Sequence, residues 1–206
     1  LRFQTTGEPL ETNPLVPSEI PSISKDPNLE VLSVISRSIF LQQATSIEYL
    51  SRSKGPSRRE IVPFALADCE YGWVVRAYDR LSDQFRNFDL ARISVAAIIT
   101  GRIRVEETQA KDIQWNRYVE LELVPHPTNV GHPKVVEAEF KMSAGMNKVW
   151  VRAPLVAYTL HRWNVDCSER HTLKGSEYQL WLRNRQTLYG VSNLSLAPGY
   201  EAKPSR

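Results

Sequence analysis

Arginine stands beside aromatic side chains again and again in YGWVVRAYDRLSDQFRNFDLARISV, residues 71–95. Arg76, Tyr78, Arg86, Phe88 and Arg92 all fall within it. Burying an unpaired guanidinium costs several kcal/mol, so strands place arginine on wet faces, at edges, or where an anion is to be held. Period-two alternation sets Val74, Arg76 and Tyr78 on one face, and Arg86, Phe88 and Leu90 together. A turn centred near Ser82 brings Tyr78 opposite Arg86 and Arg76 opposite Phe88, with guanidinium groups lying over rings. A face of that kind can stack a base and hold a phosphate. The alternative is a solvated face on which Arg76 and Arg86 pair with Asp79, Asp83 or Asp89.

A second basic cluster, SRSKGPSRRE, crowds Arg52, Lys54, Arg58 and Arg59 against Glu60. Either it is a solvated loop, or its hairpin aims Arg59 at the same mouth as Arg86. Other chemistry finds little support. His126 and His132 in PHPTNVGHP stand among prolines without cysteine or acidic partners at a metal-binding spacing, which predicts a turn and no metal site. His161 and His171 are isolated. No phosphate-binding glycine loop, nucleophile elbow or zinc-protease motif occurs, so neither an enzyme nor a cofactor is expected. Cys69 and Cys167 are far apart and form no CxxC, in keeping with a reducing cytoplasm. No apolar run is long enough to span a bilayer, and the opening residues lack the pattern of a signal peptide.

These residues need elements to position them. Hydrophobic side chains make up 42% of the 206 residues, ample for a packed core, while a net charge of +3 is too mild to announce nucleic-acid binding by the whole molecule. Residues 1–26, with Pro9, Pro14, Pro17 and Pro21, read as an extended linker arm. Asp26 and Pro27 then suit an N-cap and a first helical position, followed by a buried stripe of Leu32, Ile35 and Ile39. Five short strands follow, TSIEYLS, EIVPFALA, GWVVRAY, QFRNFDL and RISVAAII, separated by turn residues. The expected fold is α+β and mainly β: residues 27–110 form a helix and a small Sm-like (SH3-like) five-stranded barrel. Residues 111–206 form a small α+β domain, with WNRYVELELVPH and NKVWVR as strands and PLVAYTLHRW as a helix bearing Leu155, Thr159 and Trp163 on one side. HPKVVEAEFKM is ambiguous. Apolar strands YVELELV and YQLWLR predict a homodimer through this second domain.

From IEYLSRSKGPSRREIVPFALADCEYGWVVRAYDRLSDQFRNFDLARI the chain resembles a WYL domain, through Arg59-x-Ile61-x-Pro63, Trp73-x-x-Arg76-Ala77-Tyr78, Phe85-Arg86-x-Phe88 and Leu90-x-Arg92-Ile93. The tripeptide that names the family is Trp73-Val74-Val75 here, so no role of its tyrosine transfers. Downstream, ELVPHP, VRAPLVAYTLHRWNVDCS and LAPG are similar to the extension of BrxR and CapW type repressors of phage-defence operons. The resemblance implies a pocket for a nucleic-acid-derived or nucleotide ligand formed by Tyr49, Ser51, Arg59, Arg76, Tyr78, Arg86 and Arg92, with Trp73 a core anchor. It also implies a cytoplasmic regulator that reaches operator DNA through an N-terminal winged helix-turn-helix absent from this sequence. The competing expectation is a stand-alone module that binds single-stranded nucleic acid within a larger processing protein.

Overall fold

A computed structural model of the chain describes residues 25–69 and 72–201. Apart from its last two residues, the proline-rich arm lies outside the described residues. The chain divides into two units between Ile103 and Arg104, each with its own core.

The first unit opens with α1 (Leu29–Leu41). Its N-cap is Asn28, whose side chain accepts a hydrogen bond from the Glu30 amide at 2.8 Å, and not Asp26 as the sequence suggested. Asn28 has extended backbone angles and a short acceptor side chain, the combination that satisfies a free amide of the first turn. The buried stripe runs through Val31, Ile35 and Ser38, with Leu32 and Ile39 packed at its margins.

Strands β1 (Ala44–Ser51), β2 (Gly55–Asp68), β3 (Trp73–Asp79), β4 (Gln84–Asp89) and β5 (Ile93–Ile99) form one antiparallel sheet in the order β4-β3-β2-β1-β5. Gly55 opens β2 at φ +71°, a left-handed conformation that suits the tight β1–β2 turn. A bulge between Pro63 and Ala65 bends the long β2 at a residue that has no amide proton to give to the ladder. The sheet is strongly curled. Tyr49 on β1 and Phe88 on β4 meet edge to face with ring centroids 5.1 Å apart, although on a flat sheet three strand spacings, roughly 14 Å, would separate them. Ile47, Ile61, Val75, Ala77 and Phe88 fill the concave face under Val31 and Ile35 of α1.

The closed barrel expected from the sequence is not formed: β4 and β5 are the two ends of the sheet and do not pair. After β4, Asp89 accepts a hydrogen bond from the Ala91 amide and starts a 3-10 turn, Leu90–Arg92, which leads the chain to β5 on the far side of β1.

In the second unit, β6 (Tyr118–Pro125), β7 (Asn147–Arg152), β8 (Val165–Asp166) and β9 (Leu180–Leu182) pair in the order β7-β6-β9-β8. Helices α2 (Ile113–Asn116), α3 (Pro133–Glu139) and α4 (Val156–Arg162) complete it. The ambiguous HPKVVEAEFKM is therefore helical at its start, with Pro133 in the first turn. Val156, Ala157 and Leu160 face the core on α4, not Leu155, Thr159 and Trp163. A 3-10 turn through Ala153, Pro154 and Leu155 delays the start of the α-helix and shifts its phase. The aliphatic residues of YVELELV and YQLWLR mostly turn inward: Val119, Leu121, Leu123, Leu180 and Leu182 are buried in this unit's own core with Val136 and Leu160, while Tyr118 stays exposed.

Candidate functional site

The β3–β4 register decides which side chains can act together. Asp79 pairs with Gln84, Tyr78 with Phe85, Ala77 with Arg86, Arg76 with Asn87 and Val75 with Phe88. The turn is thus centred between Leu81 and Ser82, one pairing step from the expected register, so Tyr78 does not face Arg86 and Arg76 does not face Phe88. Because side chains alternate, that single step moves Arg76 and Tyr78 to the opposite face of the sheet.

On the concave face, Tyr49 lies against Phe88, and its hydroxyl accepts a hydrogen bond from Arg92 Nη1 at 3.4 Å. Arg92 is tethered at the other side by Asp89, Nε to Oδ2 at 3.2 Å. Arg59 binds the fully buried Asp79 at 2.6 Å, donates to Ser57 Oγ at 3.0 Å, and holds its guanidinium carbon 6.0 Å from the Phe88 ring centre. Asp79 also accepts from Ser82 Oγ and the Leu81 amide, so it anchors both the arginine and the turn. Arg86 follows the same alternation, is exposed, and has Gln84 Oε1 at 3.5 Å as its nearest polar partner. Among the described residues no carboxylate pairs with it. Ser51 belongs to the β1–β2 turn, where its hydroxyl accepts from the Lys54 amide at 3.3 Å.

On the convex face Tyr78 packs edge to face against Phe85, 5.1 Å between centroids, and its hydroxyl donates to Asp83. Val62 and Ala44 bury it further. Arg76 is 5% exposed and donates to Asn87 Oδ1, its cross-strand neighbour, at 3.2 Å. The seven residues named from the sequence therefore separate into an inner group, Tyr49, Arg59, Arg86 and Arg92, with Ser51 at the hairpin end, and an outer pair, Arg76 and Tyr78. Phe88, which the sequence named only as a neighbour, is the ring on which Tyr49 and Arg59 converge. For want of the register, Asn87 was missed as a partner of Arg76, and Asp79, named as a partner for Arg76 or Arg86, binds Arg59 instead.

The second unit has two polar features. His126 is buried, and its Nδ1 accepts from the amides of Thr128 and Asn129, so Nε2 carries the proton and donates to Asp166 Oδ2 at 3.1 Å. Asp166 also receives the Ser168 and Leu173 amides. This pair ties the turn after β6 to the segment after β8, which accounts for a histidine that sequence left as a turn residue. On the outward face of β6 and β7, Lys148 bridges Glu120 and Glu122, and Arg183 pairs with Glu122. The Arg183 hydrogen bond, helped by Lys148, holds the Glu122 carboxyl below its ordinary range, and Glu120 raises the Lys148 ammonium above its own. Burial pushes the Cys167 thiol up, which leaves it inert as a nucleophile. Among the described residues no helix is long and apolar enough to cross a membrane.

The first unit is thus a curled sheet with arginine and aromatic side chains on its inner face, and the second a separate α+β unit. Family comparison divides the chain in the same way: residues 30–98 match the WYL domain, and residues 118–188 match the C-terminal dimerization domain of the BrxR transcriptional regulator. The chain thus carries a WYL domain followed by a BrxR-type C-terminal dimerization domain. It is 29% identical over 172 residues to the DNA-binding transcriptional repressor CapW of Pseudomonas aeruginosa, covering 82% of this chain and 56% of that protein. It is 24% identical over 163 residues to CapW of Stenotrophomonas maltophilia, covering 74% and 54%. The chain thus spans about half the length of the curated relatives it matches. Among solved structures, the proteasome accessory factor B/C (PafBC) of Arthrobacter aurescens aligns at TM-score 0.38 and 17% identity, over 64% of this chain and 22% of that one.

Proposed function

We propose that this chain is the ligand-sensing and dimerisation part of a cytoplasmic transcriptional repressor of the phage-defence type, with no catalytic step of its own. In this reading the open, curled sheet is an Sm-like sensor, and its inner face receives a nucleotide or nucleic-acid-derived ligand. Phe88 and Tyr49 offer ring surface, Arg92 and Arg86 offer charge, and Arg59 stays locked to Asp79 as the floor. The second unit joins two copies. A ligand that favours one arrangement of the dimer then changes how operator DNA is held by a DNA-reading domain that the described residues do not include.

The observation that carries this reading is Arg86. It is an exposed guanidinium on the inner face of the sheet, within the residues that match the WYL domain, with no carboxylate partner among the described residues, whereas Arg59 and Arg92 are both ion-paired. Arg86→Ala is expected to weaken binding of a short single-stranded oligonucleotide by about 1–3 kcal/mol, the worth of a charge-assisted contact. Lys54→Ala, at the exposed hairpin tip, should change it by a few tenths of a kcal/mol, as a solvated charge does. Fluorescence anisotropy titrations at two salt concentrations compare the two variants; equal losses would identify a nonspecific basic surface instead of a pocket.

A further inference from the structure

The convex face of the same sheet carries a cleft that the sensor reading does not use. It is an open cleft of about 410 Å³, in the range of small-ligand sites, lined by Ser46, Arg58, Glu60, Arg80, Leu81 and Ile99 together with Arg59, the one residue it shares with the inner face. Arg58 and Glu60 alternate with Arg59 and Ile61 along β2, so they point away from the concave pocket. In register, Arg58 stands directly across from Glu48, the carboxylate it would be expected to engage. It turns instead toward the cleft and donates from Nε to Ser46 Oγ at 3.3 Å, without a carboxylate partner among the described residues. Since Ser46 Oγ accepts that bond, its own proton is free for an incoming oxygen. Arg80 is held on two sides, by Glu60 Oε2 at 3.3 Å and by the Arg102 carbonyl at 3.3 Å. Glu60 balances only one of the two arginines. Leu81, 64% exposed, and Ile99 supply apolar walls beside them.

We propose that this cleft is a second anion site, built for the phosphate of a nucleotide or of a nucleic-acid strand. Arg58 and the Ser46 hydroxyl ligate the phosphate oxygens, Arg80 supplies fixed positive charge, and Leu81 with Ile99 accepts the adjoining ribose or base edge. The choice of phosphate among anions rests on the sensor reading; the site itself does not.

The test follows backbone amide shifts of the isotope-labelled chain as pyrophosphate, adenosine monophosphate and a short oligothymidine are added in turn. The proposal expects shifts at Ser46, Arg80 and Ile99 with at least one probe, a roughly tenfold loss of that affinity in Arg58→Ala, and a change within about twofold in Arg52→Ala, which removes the same charge from the same hairpin. Cleft shifts with the oligonucleotide identify a strand phosphate, and cleft shifts with the mononucleotide alone identify a free nucleotide. Silence of the cleft to every probe, or equal losses in the two variants, overturns it. Shifts at Tyr49, Phe88 and Arg92 report the inner face independently, so failure of the cleft and failure of the sensor reading give different spectra.

Discussion

At the scale of single residues, Asp79 shows how one carboxylate fixes the meaning of its neighbours. The sequence offered it as a partner for Arg76 or Arg86; it binds Arg59, and it is fully buried while the arginine side chain is 9% exposed. An alternating pattern tells which residues of one strand share a face, but not which residue of another strand stands beside them, so the existence of ion pairs was legible and their membership was not. Removing one member of a buried pair leaves the other uncompensated, at a cost of about 3–5 kcal/mol. Asp79→Ala should therefore lower the thermal midpoint by more than roughly 10 °C for a unit of this size, read by circular dichroism, with loss of the turn bonds to Ser82 and Leu81 adding to it. Arg86→Ala, on an exposed side chain, should stay within about 0.5 kcal/mol of the parent. A matching loss in both would mean that Arg86 is structural and would remove it from the pocket. Tyr78, read from the sequence as a stacking residue beside Arg86, is a convex-face core residue against Phe85.

At the scale of elements, type and order were legible, while register and phase were not. All five expected strands of the first sheet are present in the expected order, although β2 starts at Gly55, five residues before EIVPFALA, so that Arg58 and Arg59 lie in the strand and not in a loop. The β3–β4 turn, residues 80–83, is a four-residue connection closed by Asp83 at φ +49°, and nothing in its composition distinguishes that from the alternative centre on Ser82. On α4 the same limit appears as a rotation: Pro154 imposes a 3-10 lead-in, and the apolar stripe slides by a residue. The helix α1 began two residues later than Asp26 and Pro27 implied, because Asn28 is the side chain that reaches an orphan amide. Since α1 closes the concave core through Val31 and Ile35, its cap contributes to the whole first unit. Asn28→Ala should cost about 1 kcal/mol in chemical denaturation, and Asn28→Asp or Asn28→Ser should recover most of it. No difference between alanine and serine would show that the cap bond contributes nothing to α1.

At the scale of the whole molecule, the sequence placed association in the second unit, and the structure changes the surface that would carry it. The strands YVELELV and YQLWLR bury their aliphatic side chains internally. What the unit leaves outside is the opposite face of β6 and β7, where Tyr118 is 53% and Trp150 is 63% exposed. Strand β7 is also an end of its sheet, with an open hydrogen-bonding edge. Around the two rings, Glu120 and Glu122 alternate with Lys148 and Arg183, so the patch carries both signs and can complement a copy of itself about a two-fold axis. Its match to a dimerization domain spans both strands. A central exposed tryptophan framed by charge is the composition of an interface hot spot, where truncation commonly costs 2 kcal/mol or more, about a thirtyfold change in dissociation constant. We therefore expect the parent chain to be dimeric in light scattering at tens of micromolar, an order-of-magnitude working concentration. Trp150→Glu should shift it to monomer without lowering the thermal midpoint beyond the small loss due to dissociation itself, because the side chain leaves the unit's own core untouched. Val135→Glu, an exposed change on α3, serves as the control and should leave the dimer intact. A monomeric parent would defeat the dimer reading, whereas a dimer that ignores Trp150→Glu would keep the reading and move the interface off the β6–β7 face.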